Sequence, residues 1–178
     1  LTFEQSRLYA HMRDDTFDGN AGEFGHFLDF VADMVQRPAE VRAVGHMFYS
    51  GQGCGKGMVV EWLKQMLGNE HVITFASQKA YFEKFNADKQ NKLVYVMEEM
   101  RENGECMSNH NELKADMAAP DVRIEIKGGA IMHMPKFARF IFNTNNEATL
   151  RVENDDRRFT MHRGSNRHAS NNTYFDPI

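Results

Sequence analysis

Between Ala21 and Pro38 the apolar residues Phe24, Phe27, Leu28, Val31, Met34 and Val35 recur at helical spacing, and Pro38 supplies a stop. That stripe predicts an amphipathic helix laid on a core. Positions 44–49 follow as a buried strand, then a glycine-rich turn, then a second helical stripe at Val59, Val60, Leu63 and Leu67 that Gly68 ends. Short apolar runs at 72–75, 93–97 and 137–142 have strand length, and the stretches between them contain helix-like segments at 80–85 and 111–117. Strands alternating with helices predict a parallel sheet. One stretch is different. Val122, Ile124 and Ile126 alternate with Arg123, Glu125 and Lys127, and Gly128-Gly129 separates them from 130–134, which predicts a β-hairpin with a two-residue turn.

With 178 residues, 42% of them hydrophobic and 26% charged, the chain has the size and composition of one globular α/β domain. No apolar run is long enough to span a bilayer and the amino terminus is too polar for a secretion signal, so the expected setting is intracellular, with no membrane partner. Cys54 and Cys106 lie far apart and supply no zinc framework. The formal charge of −4 argues against a uniformly basic nucleic-acid binder but leaves room for a local patch, and Arg157, Arg158, Arg163 and Arg167 form one. On charge alone that patch reads equally well as a solvated loop. Positions 165–178 are polar enough for a mobile tail.

The glycine-rich turn carries the chemistry. Ser50-Gly51-Gln52-Gly53-Cys54-Gly55-Lys56-Gly57 stands between a strand and a helix, the order in which a phosphate-binding loop is built. Its glycines let the backbone curl around phosphate oxygens, Lys56 reaches the terminal phosphates, and the helix start points partial positive charge at them. Ser50 replaces the first glycine of the usual pattern, and Gly57 replaces the hydroxyl residue that ligates magnesium. Any Mg²⁺ would therefore depend on water, carboxylates and phosphate oxygens. Glu98 and Glu99 end the apolar strand 93–97, where ligands gather in open parallel sheets. Taken alone they are a solvated strand end. Beside Lys56 they are candidates to hold Mg²⁺ through water and to orient or deprotonate an attacking water. Asn145 ends the next apolar strand and is a candidate γ-phosphate sensor, although Asn143, Asn145 and Asn146 also make a good loop. Arg157 or Arg158 could deliver a guanidinium to a neighbouring subunit's nucleotide, or simply pair with the aspartates before them.

Taken in order, GQGCGKG, VYVMEEM, IEIKGG, FIFNTNN and DDRRF resemble the superfamily 3 helicases, and more narrowly the helicase half of viral and phage primase-helicases. The likeness runs from about Phe27 to His162. It implies a P-loop NTPase fold of AAA+ type, a three-layer α/β/α sandwich with a central parallel sheet and an inserted hairpin. On this basis residues 1–20 are an amino-terminal segment, 21–164 the ATPase domain and 165–178 the tail. The resemblance also implies ATP bound with Mg²⁺ between subunits of a ring, usually a hexamer, that moves along single-stranded DNA. A primase domain would belong to the same full-length chain. Lys56, Glu98, Glu99, Asn145 and Arg157 or Arg158 match the motor residues, and Lys127 and His133 of the hairpin would contact DNA. Two other classes are compatible with the same residues: a P-loop ATPase that remodels or packages nucleic acid without unwinding it, and a degenerate nucleotide-binding module used for assembly.

Overall fold

The computed structural model describes residues 2–40, 42–98, 106–145, 156–176 and 178, with backbone alone at 106–110. The expected first helix forms as α2 (Ala21–Gln36), capped by the Asn20 side chain, which accepts the Glu23 amide N–H at 3.1 Å. Before it come two shorter pieces that the polar amino-terminal sequence did not announce: α1 (Arg7–His11) and a π-helical turn at Met12–Thr16. Strand β1 (Gly45–Tyr49) leads into α3 (Lys56–Leu67), with Gly68 at its C-cap, as expected. The predicted runs at 72–75 and 93–97 form β2 (Val72–Phe75) and β3 (Val94–Met97), and the run at 137–142 forms β6 (Arg139–Thr144). The helix expected at 111–117 is longer, α5 (Cys106–Ala118).

The structure corrects five expectations. The helix expected at 80–85 is the single turn α4 (Gln78–Tyr81), because the chain beyond it is needed elsewhere. Asn86 lies against strand β4 (Asp121–Glu125): its amide N–H donates to the Glu125 carbonyl at 3.2 Å, its side-chain Nδ2 to the Arg123 carbonyl at 2.9 Å, and its Oδ1 accepts the Glu125 N–H at 2.9 Å. The hairpin pairs β4 with β5 (Ile131–Pro135) as expected, but Glu125 faces Ile131, so the connection is five residues rather than two. Its tight part is a turn in which the Gly129 N–H donates to the Ile126 carbonyl at 2.9 Å, with Gly128 supplying the positive φ of 75° at the third position. Asn143, grouped with loop asparagines by sequence, is a buried residue of β6. Finally, the basic stretch after Arg158 is a strand, β7 (Phe159–Arg163), and the expected tail folds back against the body over 165–176, with a short helix α6 (Asn172–Phe175) near its end.

The five remaining strands form one parallel sheet in the order β2-β3-β6-β1-β7. Side chains alternate across it. Phe48, Val72, Val94, Val96 and Ile141 face α2 and α3, where Phe27, Val31, Met34, Val59 and Leu63 bury them. Met47, Phe75, Tyr95, Met97, Phe140 and Phe142 face α4 and α5, against Tyr81, Leu113 and Met117. The result is the three-layer α/β/α arrangement, with the hairpin as a separate two-stranded sheet. The chain leaves β1 for β2 at one edge, and leaves β6 for β7 at the other, so the connections diverge between two adjacent strands. Such a divergence opens a crevice at the carboxyl ends of the strands, where open parallel sheets take their ligands.

Candidate nucleotide site

The crevice is where the glycine loop sits. Gly53 and Gly55 adopt φ of +74° and +82°, values that L side chains rarely hold, and this lets the loop turn sharply into α3. Gly55 is also the N-cap of α3 and offers no side chain to cap it. The Met58 amide donates to the Gly55 carbonyl at 2.9 Å, and the two amides before it, at Lys56 and Gly57, have no intrahelical acceptor and are available to an anion.

Lys56 bends back over this loop. Its ammonium donates to the Ser50 carbonyl at 2.9 Å, the Ser50 hydroxyl at 3.2 Å, the Gly51 carbonyl at 2.8 Å and the Asn145 side-chain oxygen at 2.7 Å. Burial pulls its pKa below the ordinary lysine value, and the neighbouring Cys54 and Glu98 oppose that pull. Glu98 follows β3, and its Oε1 accepts a hydrogen bond from Asn143 Nδ2 on β6 at 2.9 Å. Lys56, Glu98 and Asn145 thus arrive from three separate elements at one end of the sheet. An ammonium surrounded by carbonyl oxygens at a helix start can exchange them for phosphate oxygens, and a carboxylate at the same end of the sheet can accept from a water.

Other expected residues fall elsewhere. Glu99 lies outside the described residues. Arg157 is exposed, and Arg158 keeps its guanidinium 3.4 Å from the Asp156 carboxylate while its carbonyl accepts the Gly45 N–H at 2.7 Å. Gly45 and Phe159 are register partners at the amino end of β1 and β7, whereas Tyr49, beside the loop, pairs with Arg163. The five residues of parallel strand β7, about 17 Å, separate Arg158 from the loop of its own chain. Lys127 is exposed at the hairpin tip. His133 is instead mid-strand opposite Arg123, with Nδ1 3.2 Å from Asp121 Oδ2.

Sequence reasoning missed two asparagines. Asn143 orients Glu98 from the neighbouring strand. Asn166, in the folded-back segment, accepts the Gly51 N–H at 2.7 Å on its side-chain oxygen. For Asn143 a signal existed: a polar residue inside the run FIFNT has no reason to interrupt a buried strand unless something polar meets it. For Asn166 no local pattern pointed to the loop.

A family of unknown function, DUF5906, matches residues 48–158 by its family model. The chain belongs to the DUF5906 family. The matched stretch begins in β1 just ahead of the glycine loop and ends at Arg158, so in this DUF5906 member it contains Lys56, Glu98, Asn143 and Asn145, while β7 and the folded-back segment lie beyond it. A curated relative, the DNA primase-polymerase of Nitratiruptor phage NrS-1, is 27% identical over 160 residues, covering 89% of this chain. The chain spans 22% of that relative's length. Among solved structures, the apo C-terminal region (305–718) of NrS-1 is similar with a TM-score of 0.82 at 25% identity, covering 96% of this chain and 42% of that one. The A form apo structure of the same region gives a TM-score of 0.77 at 24% identity, over 96% and 41%. This DUF5906 chain is therefore a relative of the C-terminal region of a phage primase-polymerase, with its α/β fold. No helix among the described residues is long and apolar enough to cross a membrane.

Proposed function

We propose that this chain is the ATP-hydrolysing motor of a phage-type DNA replication protein, of the superfamily 3 helicase kind, which assembles as a ring, with six subunits the expected number, and moves along single-stranded DNA. The observation that carries this reading is the meeting of Lys56 with Asn145, and of Glu98 with Asn143, at the mouth of the crevice between β1 and β6. A structural lysine has no need of a glycine loop, a helix start and a sensor-placed amide at once.

In this reading the loop amides and Lys56 hold the β- and γ-phosphates, and Asn145 exchanges its bond to Lys56 for one to the γ-phosphate or the attacking water. Glu98, steadied by Asn143, accepts from that water, and Glu98 with Glu99, the carboxylate that follows it in sequence, would hold Mg²⁺ through water. Among the described residues no group of three or more histidines, cysteines or carboxylates gathers. Mg²⁺ keeps several waters and needs only one or two carboxylates beside phosphate oxygens. When bound, the ion would neutralise charge on the phosphates. Gly57 offers it no hydroxyl, so Glu98 and Glu99 would be the protein residues that hold it.

Arg157 and Arg158 stand at the far end of the sheet from their own loop, so a guanidinium from either acts on a neighbour's nucleotide or not at all. The relative's name, a primase-polymerase, supports a full-length chain that carries primer synthesis as well, and its phage source an intracellular setting in the host. Lys127 at the hairpin tip and His133 along β5 are the DNA-facing candidates. Lys127→Ala should weaken single-stranded DNA binding several-fold and make the plot of log affinity against log salt shallower by about 0.7, the share of a single neutralised phosphate. An unchanged slope would remove Lys127 from the DNA path.

The absent hydroxyl at Gly57 favours one competing reading, a nucleotide-binding module that assembles without turnover. Steady-state ATP hydrolysis at several protein concentrations, with and without single-stranded DNA, separates the two. Turnover that rises with concentration and with DNA supports the motor. ATP binding without turnover supports the module, and DNA-stimulated turnover without duplex unwinding supports a remodelling or packaging ATPase.

A further inference from the structure

The folded-back segment 164–175 lies against the glycine loop. Gly164 N–H donates to the Tyr49 carbonyl at 2.7 Å, at the point where β1 becomes the loop. Two residues on, Asn166 Oδ1 accepts the Gly51 N–H at 2.7 Å and lies 3.1 Å from Cys54 Sγ, so one side-chain oxygen ties two positions of the loop together. Ser170, held at φ +56°, donates its N–H to the Gly53 carbonyl at 2.9 Å. The contact is close enough to exclude side chains. A β-carbon on Gly51 would lie 2.9 Å from Asn166 Oδ1, one on Gly53 2.6 Å from Ser170 Oγ, and one on Gly55 2.5 Å from His11 Nε2 and 2.7 Å from the Phe175 ring.

The segment is itself anchored on the amino-terminal helices. Ser165 N–H donates to the Asp15 carbonyl at 2.7 Å, and the Tyr174 hydroxyl donates to Asp15 Oδ2 at 2.8 Å. His11 and Asp15 are both buried. The chain's two outer segments thus meet behind the loop and clasp it from one side.

A free glycine-rich loop has many conformations, and a ligand that needs one of them loses affinity in proportion to the others. We propose that Asn166 is a positioning residue which, with the Ser170 amide, holds the loop in its phosphate-receiving shape, so that ATP affinity is set by the segment 164–175 as well as by the loop. This rests on the nucleotide reading of the site. The amide of Gly51, the carbonyl of Gly53 and the thiol of Cys54 are the loop groups that the clasp occupies, and the amides of Lys56 and Gly57 at the start of α3 are left for phosphate. Gly51, Gly53 and Gly55 are accordingly glycines for a second reason: a side chain there would displace the clasp.

The test uses the whole chain with Asn166→Ala and Asn166→Asp. Amide hydrogen exchange over residues 50–56, without nucleotide, should quicken about tenfold in the alanine variant and stay near wild type in the aspartate variant, which keeps an acceptor oxygen. Equal exchange in all three proteins, or loss of protection in both variants, overturns the proposal. Calorimetric titration with ATP and magnesium should show about tenfold weaker binding to Asn166→Ala, with kcat at saturating ATP within about twofold of wild type. Wild-type affinity in Asn166→Ala overturns this inference alone. No ATP binding by the wild type overturns the nucleotide reading and this inference with it.

Discussion

Replacing Lys56 with alanine should leave the chain folded and lower ATP turnover by about a thousandfold, the upper range for removing one preorganised donor at a developing charge. The side chain contributes little to the core: its four acceptors are two carbonyls, a hydroxyl and an exposed amide, and none of them belongs to the apolar clusters on either face of the sheet. Its ammonium is the charge positioned beside the loop and the α3 start together. Loss of that charge leaves the loop amides able to hold phosphate weakly, while the charge that builds on the transferring group has no partner. Lys56→Arg should not restore activity, because a planar guanidinium cannot reproduce the tetrahedral reach of an ammonium among these acceptors. Thermal melting checks the fold, and single-turnover hydrolysis checks the rate. Turnover within tenfold of wild type would place the phosphates somewhere other than this crevice.

Much of this was legible in the sequence because it depends on local pattern. The stripe at Phe24, Phe27, Val31 and Met34, and the order of strand, glycine loop and helix around Lys56, are fixed by periodicity and by residues with one conformational use. What escaped notice depends on partners distant in sequence. Strand β7 reads FTMHR, and its buried His162 looks polar until the fold sets it 2.7 Å from His46 on β1 and 2.8 Å from Glu23 on α2. The early end of α4 follows from Asn86 lending its amide groups to the hairpin, which no window around 80–85 contains. Asn166 stands 115 residues from Gly51, in a stretch whose polarity suggested a tail. The same limit applied to the arginines: their number suggested a patch, and only the strand register revealed that Arg158 and Arg163 stand at opposite ends of the sheet.

The largest stability effect should come from a site unconnected with nucleotide. Asp33→Ala is expected to cost about 3 kcal/mol, because it removes the carboxylate paired with a buried guanidinium. Arg139, on β6, is fully buried, and its Nη2 donates to Asp33 Oδ2 at 3.0 Å. The same nitrogen also reaches the carbonyls of Arg37 at 3.1 Å and Glu40 at 3.2 Å, and these would remain, which holds the figure at the low edge for a broken buried pair. For a domain of this size that loss lowers the melting temperature on the order of 6–12 °C. Asp33 also has a pH signature. Hydrogen bonding from Arg42, and then from Arg139, holds its carboxyl down at about 2. A folded value below the unfolded one, about 3.9, means that the stabilisation is complete above roughly pH 5 and is lost as pH falls through 4 towards 2. Melts of wild type should therefore drop across that window, and those of Asp33→Ala should drop less. The double variant Asp33→Leu with Arg139→Met removes charge and countercharge together and should recover most of the loss. A single variant that melts with wild type at pH 7, or a double variant no better than the single, would show that the backbone carbonyls and water alone satisfy Arg139.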